Sequence, residues 1–180
     1  MRTYELATII HTQAKMYRFE NFVIGIKDTL PEEIDLIYEM EAQGENLKYV
    51  IPYDKKRHLN VIENEDEEHL SVCCKETQNL IGFIILAGLK NPNLSLEFRR
   101  IIIQNNGKGI GRQCLQLIKS YCFKELKFHR FWLDVFEENL RAIHIYQSEG
   151  FKEEGRLVVK QDEEYRTLLI LSILEDEFFK

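Results

Sequence analysis

Three glycines occupy alternate positions at Gly107, Gly109 and Gly111, directly after an apolar segment. Glycines at this spacing allow a turn with positive φ and leave successive backbone N–H groups unobstructed by Cβ atoms. From Ile110 onward the apolar residues recur at helical spacing, so the turn opens a helix whose N-terminus favours an anion. We interpret the strand, turn and helix as a pyrophosphate cradle, although a tight turn without a ligand has the same pattern.

A second segment downstream runs from Asp134 to Tyr146 and is followed by Gly150-Phe151. Together with residues 106–111 it resembles the GNAT superfamily of acyl-CoA-dependent N-acyltransferases. That family carries Gln or Arg, two residues, Gly, one residue, and Gly or Ala, with a later Asn-x-x-Ala and a Tyr shortly before Gly-Phe. Asn106 departs from the usual Gln or Arg but keeps a polar side chain. Within the superfamily, the C-terminal pattern is most similar to ribosomal-protein N-terminal and spermidine acetyltransferases.

The resemblance implies acetyl-CoA as the acyl donor and requires no metal. It predicts that the cofactor contacts the end of one strand, the glycine-rich turn and the helix before Gly150. The predicted cofactor-binding residues are Ile101, Ile102, Ile103, Asn106, Gly107, Lys108, Gly109, Ile110, Gly111, Arg112, Asn139 and Tyr146. Asn139 is equally suited to capping its own helix.

Transfer of an acyl group to an amine requires a neutral amine, stabilisation of the oxyanion and a proton for the departing thiolate. We predict Glu97, in an apolar strand, as the general base that deprotonates the incoming ammonium. The alternative for Glu97 is an ion pair with Arg99 or Arg100.

Tyr146 is predicted as the general acid, because the resemblance puts a tyrosine at this point near the thioester sulfur. The alternative is a tyrosine whose ring packs in the core while its hydroxyl meets solvent. Backbone N–H groups at residues 101–103 would stabilise the oxyanion. The histidines show no Ser, Cys or metal-ligand spacing and are interpreted as structural: His58, His69, His129 and His144.

Two other functions are compatible with a glycine-rich turn. A dinucleotide-binding enzyme would carry G-x-G-x-x-G after a first strand and an acidic residue about 20 residues later. This sequence has neither feature. A CoA-binding regulatory or assembly module without catalysis remains an alternative, against which Glu97 and Tyr146 argue.

Length and composition predict a single N-acetyltransferase domain over residues 16–180, since 180 residues with 44% apolar content suffice for one core. Residues 1–15 precede the resemblance and are interpreted as an N-terminal extension. The net charge of −6 argues against non-specific nucleic-acid binding. Four cysteines without a C-x-x-C pair predict buried reduced thiols: Cys73, Cys74, Cys114 and Cys122.

The longest apolar runs, residues 80–89 and 168–174, are too short to cross a bilayer, and the N-terminus lacks a signal-peptide pattern. We therefore expect a cytoplasmic protein without a membrane partner; a homodimer is compatible with the sequence. The acceptor is predicted to be a primary amine on a small molecule or peptide, with polyamines as the leading class. Carboxylates of the first helices and the loop after them motivate this choice: Glu32, Glu33, Asp35, Glu39, Glu41, Glu45, Glu63, Glu65, Asp66, Glu67 and Glu68.

The order of the elements predicts a mixed α/β fold with about seven strands, mostly antiparallel, and about four helices. Asp54 is a candidate N-cap, and the acidic run at residues 63–68 is predicted to be a solvated loop. The resemblance implies that the fourth strand (residues 94–103) and the fifth (residues 131–136) splay apart, with the pantetheine arm in the opening.

Overall fold

The computed structural model describes residues 16–43, 47–104, 108–161 and 163–180. Within these ranges the strands are β1 (Phe19–Glu20), β2 (Ile24–Asp28), β3 (Glu67–Cys74), β4 (Leu80–Ala87), β5 (Ser95–Ile103), β6 (Arg130–Phe136), β7 (Lys152–Gln161) and β8 (Glu164–Leu174). The helices are α1 (Ile34–Glu41), α2 (Lys55–Glu63), α3 (Ile110–Ser120), α4 (Leu140–Ser148) and α5 (Glu175–Phe178). A 3-10 turn at Pro31–Glu33 precedes α1, and a π-helical turn at Tyr121–Glu125 follows α3.

The strands form one open sheet in the order β1-β2-β3-β4-β5-β6-β8-β7. Every neighbouring pair is antiparallel except β5 and β6, which are parallel. The predicted mixed α/β fold is confirmed. The described sheet has one strand more than expected, because the two residues of β1 pair with β2.

The two parallel strands are joined only at their beginnings. Residues 95–97 of β5 pair with residues 130–132 of β6, and the pairing stops after Glu97 and Trp132. From there the strands diverge, so the splay predicted between these two strands is confirmed. The edge of β5 beyond Glu97 has no strand beside it on the β6 side.

A β-bulge in β5 lies beside this opening. Ile85 of β4 pairs with Arg100 and Leu86 pairs with Phe98, so Arg99 is an extra residue in β5. An extra residue shifts the alternation of side chains by one position. Phe98 accordingly packs in the core on one face of the sheet, and Ile102 packs in the core on the other.

Two groups of buried side chains cover the two faces. The larger one joins the sheet to α3, the π-helical turn and α4, and its buried rings include those of Phe98, Phe123 and Phe131. The smaller one joins β4 and β5 to α1 and α2 through Ile34, Ile37, Met40 and Val61. The opening between β5 and β6 therefore lies between a face covered by α3 and α4 and a face covered by α1 and α2.

Several local expectations were correct. The Asp54 side chain accepts from the N–H of Arg57 at 2.7 Å and caps α2. Three of the four cysteines are buried and all four are free thiols. Burial raises the pKa of Cys114 and Cys122 to about 12, which keeps these two thiols protonated and unreactive.

The prediction of a solvated loop at residues 63–68 was wrong at its C-terminal end. β3 begins at Glu67, whose side chain is only 4% exposed. Arg57 binds it through two hydrogen bonds of 2.8 and 2.5 Å, and Arg99 donates to it as well. A carboxylate is tolerated there because two guanidinium groups compensate its burial.

Residues 1–15 lie outside the described residues, and the N-terminal extension stays a prediction. Among the helices described between residues 16 and 180, none has the length and apolar content needed to cross a bilayer.

Candidate active site

A cleft of about 280 Å³ occupies the opening between β5 and β6. β5 lines it with residues 98–101 and β6 with residues 134–136, while Tyr146 and Asn139 contribute from α4 and its N-cap. The loop between α1 and α2 closes one side with residues 49–51. The cleft thus brings together parts of the chain that are up to about a hundred residues apart.

The open edge of β5 presents backbone groups to this cleft. Gln104 N–H donates to the carbonyl of Ile81 in β4 at 2.8 Å. Because alternate residues of a strand direct their amides to opposite edges, Ile102 also faces β4, whereas Ile101 and Ile103 face the opening. Of the three isoleucines of β5 predicted to bind the cofactor, these two have backbone N–H groups on the open edge of the strand, and Ile101 also lines the cleft.

Tyr146 is a half-buried residue on the α4 side of the cleft. Its ring packs against Phe151, with 5.9 Å between ring centroids, and no hydrogen bond joins its hydroxyl to another described residue. Burial raises the pKa of Tyr146, and the charge of Asp134 raises it further. The phenol is therefore protonated at neutral pH, as a proton donor requires.

Asn139 lies in the cleft wall and caps α4. Its Oδ1 accepts from the N–H of Ala142 at 3.2 Å, so the capping role weighed in the sequence is confirmed. The contact with the cofactor stays a prediction for this residue.

The described part of the glycine-rich turn has the features of an anion cradle. Gly109 is the N-cap of α3 with φ 70°, a left-handed conformation that favours glycine. A Cβ added at Gly109 or Gly111 would meet no atom within 4 Å, so both glycines border open space. The first N–H groups of α3, including those of Ile110 and Gly111, have no partner within the helix. These residues fit the pyrophosphate of a CoA molecule.

The basic residues near this turn differ in whether a carboxylate already binds them. Lys108 is exposed, whereas Arg112 donates to Glu149 at 2.8 Å. Lys119 contacts the same carboxylate at 3.0 Å, so Glu149 ties α3 to the end of α4. Asn106 and Gly107 lie outside the described residues, and their contacts with the cofactor stay predictions.

Glu97 is engaged by its neighbour. Arg99 Nε lies 3.2 Å from both carboxylate oxygens, and a second Arg99 nitrogen lies 2.6 Å from Oε2. The ion pair that was the alternative reading of Glu97 is therefore present, with Arg99 as its partner. The Arg99 guanidinium thus occupies both oxygens of the Glu97 carboxylate.

Asp134 was not among the predicted site residues. It follows Trp132 by two positions in β6, and Trp132 pairs with Glu97, so Asp134 and Glu97 share a face of the sheet. Within the described chain Asp134 has no hydrogen bond or ion pair. The Asp134 side chain is exposed at the cleft, and partial desolvation there raises its pKa; the charge of Glu97 raises it further while Arg99 opposes the shift. The signal in the sequence was a lone carboxylate inside the apolar run from Phe131 to Phe136.

The histidines show the structural behaviour expected of them. His58 and His69 are buried on the α2 side of the sheet, with 3.0 Å between His58 Nδ1 and His69 Nε2. His129 and His144 are exposed and do not line the cleft. In the described ranges no three His, Cys, Asp or Glu residues are grouped to hold a metal ion.

Comparison with known proteins agrees with this geometry. Residues 34–151 match the family model described as "Acetyltransferase (GNAT) family". The chain belongs to the GNAT acetyltransferase family.

Two curated relatives are spermidine N(1)-acetyltransferases. The Vibrio cholerae enzyme is 34% identical over 59% of this chain and 65% of its own length, so the alignment spans slightly less than two thirds of it. The Escherichia coli K12 enzyme is 29% identical over 82% of this chain and 83% of its own length. A crystal structure of the Vibrio cholerae spermidine N-acetyltransferase in complex with CoA and spermine has a TM-score of 0.78 and 26% identity, covering 89% of this chain and all of that one.

Membership of the GNAT family confirms the predicted enzyme class, an acetyl-CoA-dependent N-acetyltransferase. The alternative function, a CoA-binding regulatory or assembly module without catalysis, is therefore not retained. The roles of Glu97, Tyr146 and the cofactor-binding residues stay predictions, as does the homodimer.

Proposed function

We propose that this GNAT enzyme transfers an acetyl group from acetyl-CoA to a primary amine of a polyamine. The observation that carries the proposal is the cleft itself: a protonated tyrosine, Tyr146, and an unpartnered carboxylate, Asp134, line the same opening beside unpaired strand amides. These are the three groups that aminolysis of a thioester requires. The polyamine acceptor is supported by the names of the relatives.

Acetyl-CoA bound in the opening would supply the activated thioester carbonyl. The N–H groups of Ile110 and Gly111 at the start of α3 would hold its pyrophosphate. The N–H groups of Ile101 and Ile103 face the cleft and would stabilise the negative charge that develops on the carbonyl oxygen. Tyr146 would donate its proton to the departing sulfur.

Two carboxylates compete for the role of base. Glu97 is the residue that the sequence indicated, but Arg99 holds both of its oxygens. Asp134 is free of such a partner, and its raised pKa makes it the better proton acceptor. We therefore favour Asp134 as the group that takes the proton of the acceptor ammonium, with Glu97 holding Arg99 in place.

The electrostatic motivation for polyamines is weaker in the folded chain than in the sequence. Among the described residues, six of the eleven carboxylates that motivated this choice form ion pairs. The pairs are Glu33 with Lys27, Asp35 with Lys55, Glu41 with Arg100, Glu65 with Lys90, Glu67 with Arg57 and Glu68 with Arg18. The remaining free charge in the cleft is that of Asp134, which suits one ammonium group.

The test measures release of free thiol from acetyl-CoA in the presence of different amines. These are spermidine, spermine, a primary monoamine without a second charged group, and peptides with free N-termini. We expect turnover with the polyamines at a lower KM than with the monoamine. The KM for spermidine should rise with salt more steeply than that for the monoamine, since the Debye length falls from about 10 Å at 0.1 M to about 3 Å at 1 M. If peptides are acetylated and polyamines are not, the acceptor is a peptide amine instead of a polyamine. The assignment as an N-acetyltransferase would be unaffected.

A further inference from the structure

The acceptor side of the cleft is closed by the loop between α1 and α2. Its residues 50–54 form neither helix nor strand, so side chains from elsewhere determine its position. Arg100 donates to the carbonyl of Ile51 at 3.0 Å, and Tyr53 N–H donates to Glu41 Oε2 at 2.8 Å. Both attachments lead to one buried residue, Glu41.

Glu41 is a fully buried carboxylate in the last turn of α1. One oxygen accepts from Arg100, and the other accepts from Tyr53 N–H and lies 3.1 Å from His58 Nε2. Burial opposes ionisation of Glu41, but His58 and Arg100 hold its pKa below the usual range. The residue is therefore an anion that joins α1, α2, β5 and the loop.

Arg100 depends on this anion. Its side chain is 9% exposed, its guanidinium stacks 3.7 Å from the centroid of the Tyr53 ring, and its Nε has no hydrogen-bond partner. Within the described chain, Glu41 is the carboxylate that contacts it. Because Arg100 lines the cleft, removal of the Glu41 charge would leave an uncompensated cation where the acceptor ammonium must enter.

A buried ion pair of this kind does not by itself stabilise a fold, because desolvation of the two charges offsets their attraction. Its location beside the cleft indicates another use. We propose that Glu41 is a positioning residue for the acceptor: it holds Arg100 and the loop from Tyr49 to Tyr53 in place and neutralises Arg100 toward a cationic substrate. This inference rests on the proposed function, since it assumes that an amine binds on this side of the cleft.

The test compares Glu41→Gln, Arg100→Gln and the double variant, with Glu125→Gln as the control. Glu125 is an exposed glutamate that does not line the cleft, and its substitution should change nothing. We expect Glu41→Gln to raise the KM for the amine at least tenfold while the KM for acetyl-CoA stays within about twofold. Adding Arg100→Gln should lower the KM for the amine part of the way back to the wild-type value, because the uncompensated Arg100 charge is then gone.

A role confined to folding predicts the opposite for the double variant, whose amine KM would be no better than that of Glu41→Gln. That result, or a parallel rise in the KM for acetyl-CoA, would overturn the proposal. Amide hydrogen exchange of the peptide containing Tyr49–Tyr53 needs no turnover. Faster exchange in Glu41→Gln than in the wild type or Glu125→Gln is expected even if no tested amine is acetylated, and unchanged exchange would refute the positioning role independently of the proposed acceptor.

Discussion

His58 Nδ1 lies 3.0 Å from His69 Nε2 in the core between α2 and the sheet. The two buried imidazoles are therefore hydrogen-bonded, and one must donate to the other. His69 Nδ1 lies 2.9 Å from the hydroxyl of Thr29, while His58 Nε2 contacts Glu41. A chain of polar side chains thus crosses the smaller core, and both of its imidazoles are buried, His58 at 0% and His69 at 4% exposure.

His69 makes stability depend on pH in a defined direction. Burial, followed by the charges of His58 and Arg100, lowers its pKa from 6.5 to about 3. Between these values the unfolded chain binds a proton at this site and the folded chain does not, so stability is lost as the pH falls. We expect this site to lower the free energy of unfolding by roughly 1.4 kcal/mol per pH unit below about 6.

Urea unfolding of the wild type and of His69→Gln between pH 7 and pH 4.5 measures this contribution. The variant should lose less stability over that range than the wild type. His144→Gln changes an exposed histidine and should follow the wild type. Equal pH slopes for all three proteins would show that protonation of His69 costs the fold nothing.

A substitution in the glycine-rich turn should change the stability of the protein and its affinity for CoA in opposite directions. Gly111 lies in the first turn of α3 in space that a Cβ would not crowd. Gly111→Asp should stabilise the helix by about 0.5–1 kcal/mol, because glycine is a poor helix former and an anion suits the N-terminus. The same charge should repel the phosphates and weaken CoA binding at least tenfold.

Calorimetric titration with CoA and thermal unfolding of the free protein provide the two measurements. Gly111→Ala is the matched control, because it adds a Cβ without charge and should weaken binding far less. A loss of affinity that is equal in both variants would indicate a steric effect, and unchanged affinity in Gly111→Asp would remove the phosphate site from this turn.

The sequence predicted those parts of the site that depend on local patterns. The predictions for Gly109 and Asp54 were correct because a left-handed turn and a helix cap are determined within a few residues. Glu41 was grouped with the carboxylates expected to attract a polyamine, because its partners Tyr53, His58 and Arg100 are 12 to 59 residues away. No spacing within α1 distinguishes a buried glutamate from an exposed one.

The extra residue Arg99 in β5 was equally inaccessible to sequence patterns. A bulge is defined by the register against β4, and a single inserted residue leaves the apolar character of the strand unchanged. The side chain of Arg99 reaches Glu97, an ion pair that the sequence allowed as the alternative to a general base. The choice between Glu97 and Asp134 as the base stays a proposal.

Tyr146→Phe removes one hydroxyl and keeps the ring that packs on Phe151. If Tyr146 protonates the departing thiolate, kcat should fall roughly 10- to 1,000-fold with little change in the KM for acetyl-CoA. Single-turnover kinetics would locate the loss in the chemical step. A variant with normal kcat and lower thermal stability would assign the tyrosine to packing alone.

Asp134→Asn and Glu97→Gln distinguish the two candidate bases. If Asp134 accepts the ammonium proton, its amide variant should lose roughly 10- to 1,000-fold in kcat/KM at neutral pH. The loss should shrink toward alkaline pH, because the acceptor amine then becomes neutral without assistance, as amines of pKa about 10 do. Glu97→Gln should keep the wild-type pH profile and lose less than tenfold, since it removes only one of the two carboxylates that bind Arg99.

The measurement is kcat/KM for the preferred amine from pH 6 to pH 10 in the two variants and the wild type. Asp134→Glu is the matched control, because it keeps a carboxylate and should retain more activity than Asp134→Asn at pH 7. If instead Glu97→Gln shows the alkaline shift and Asp134→Asn does not, the base is Glu97, as the sequence indicated. In that case Arg99 must release the carboxylate when substrates bind, because its guanidinium occupies both oxygens of Glu97.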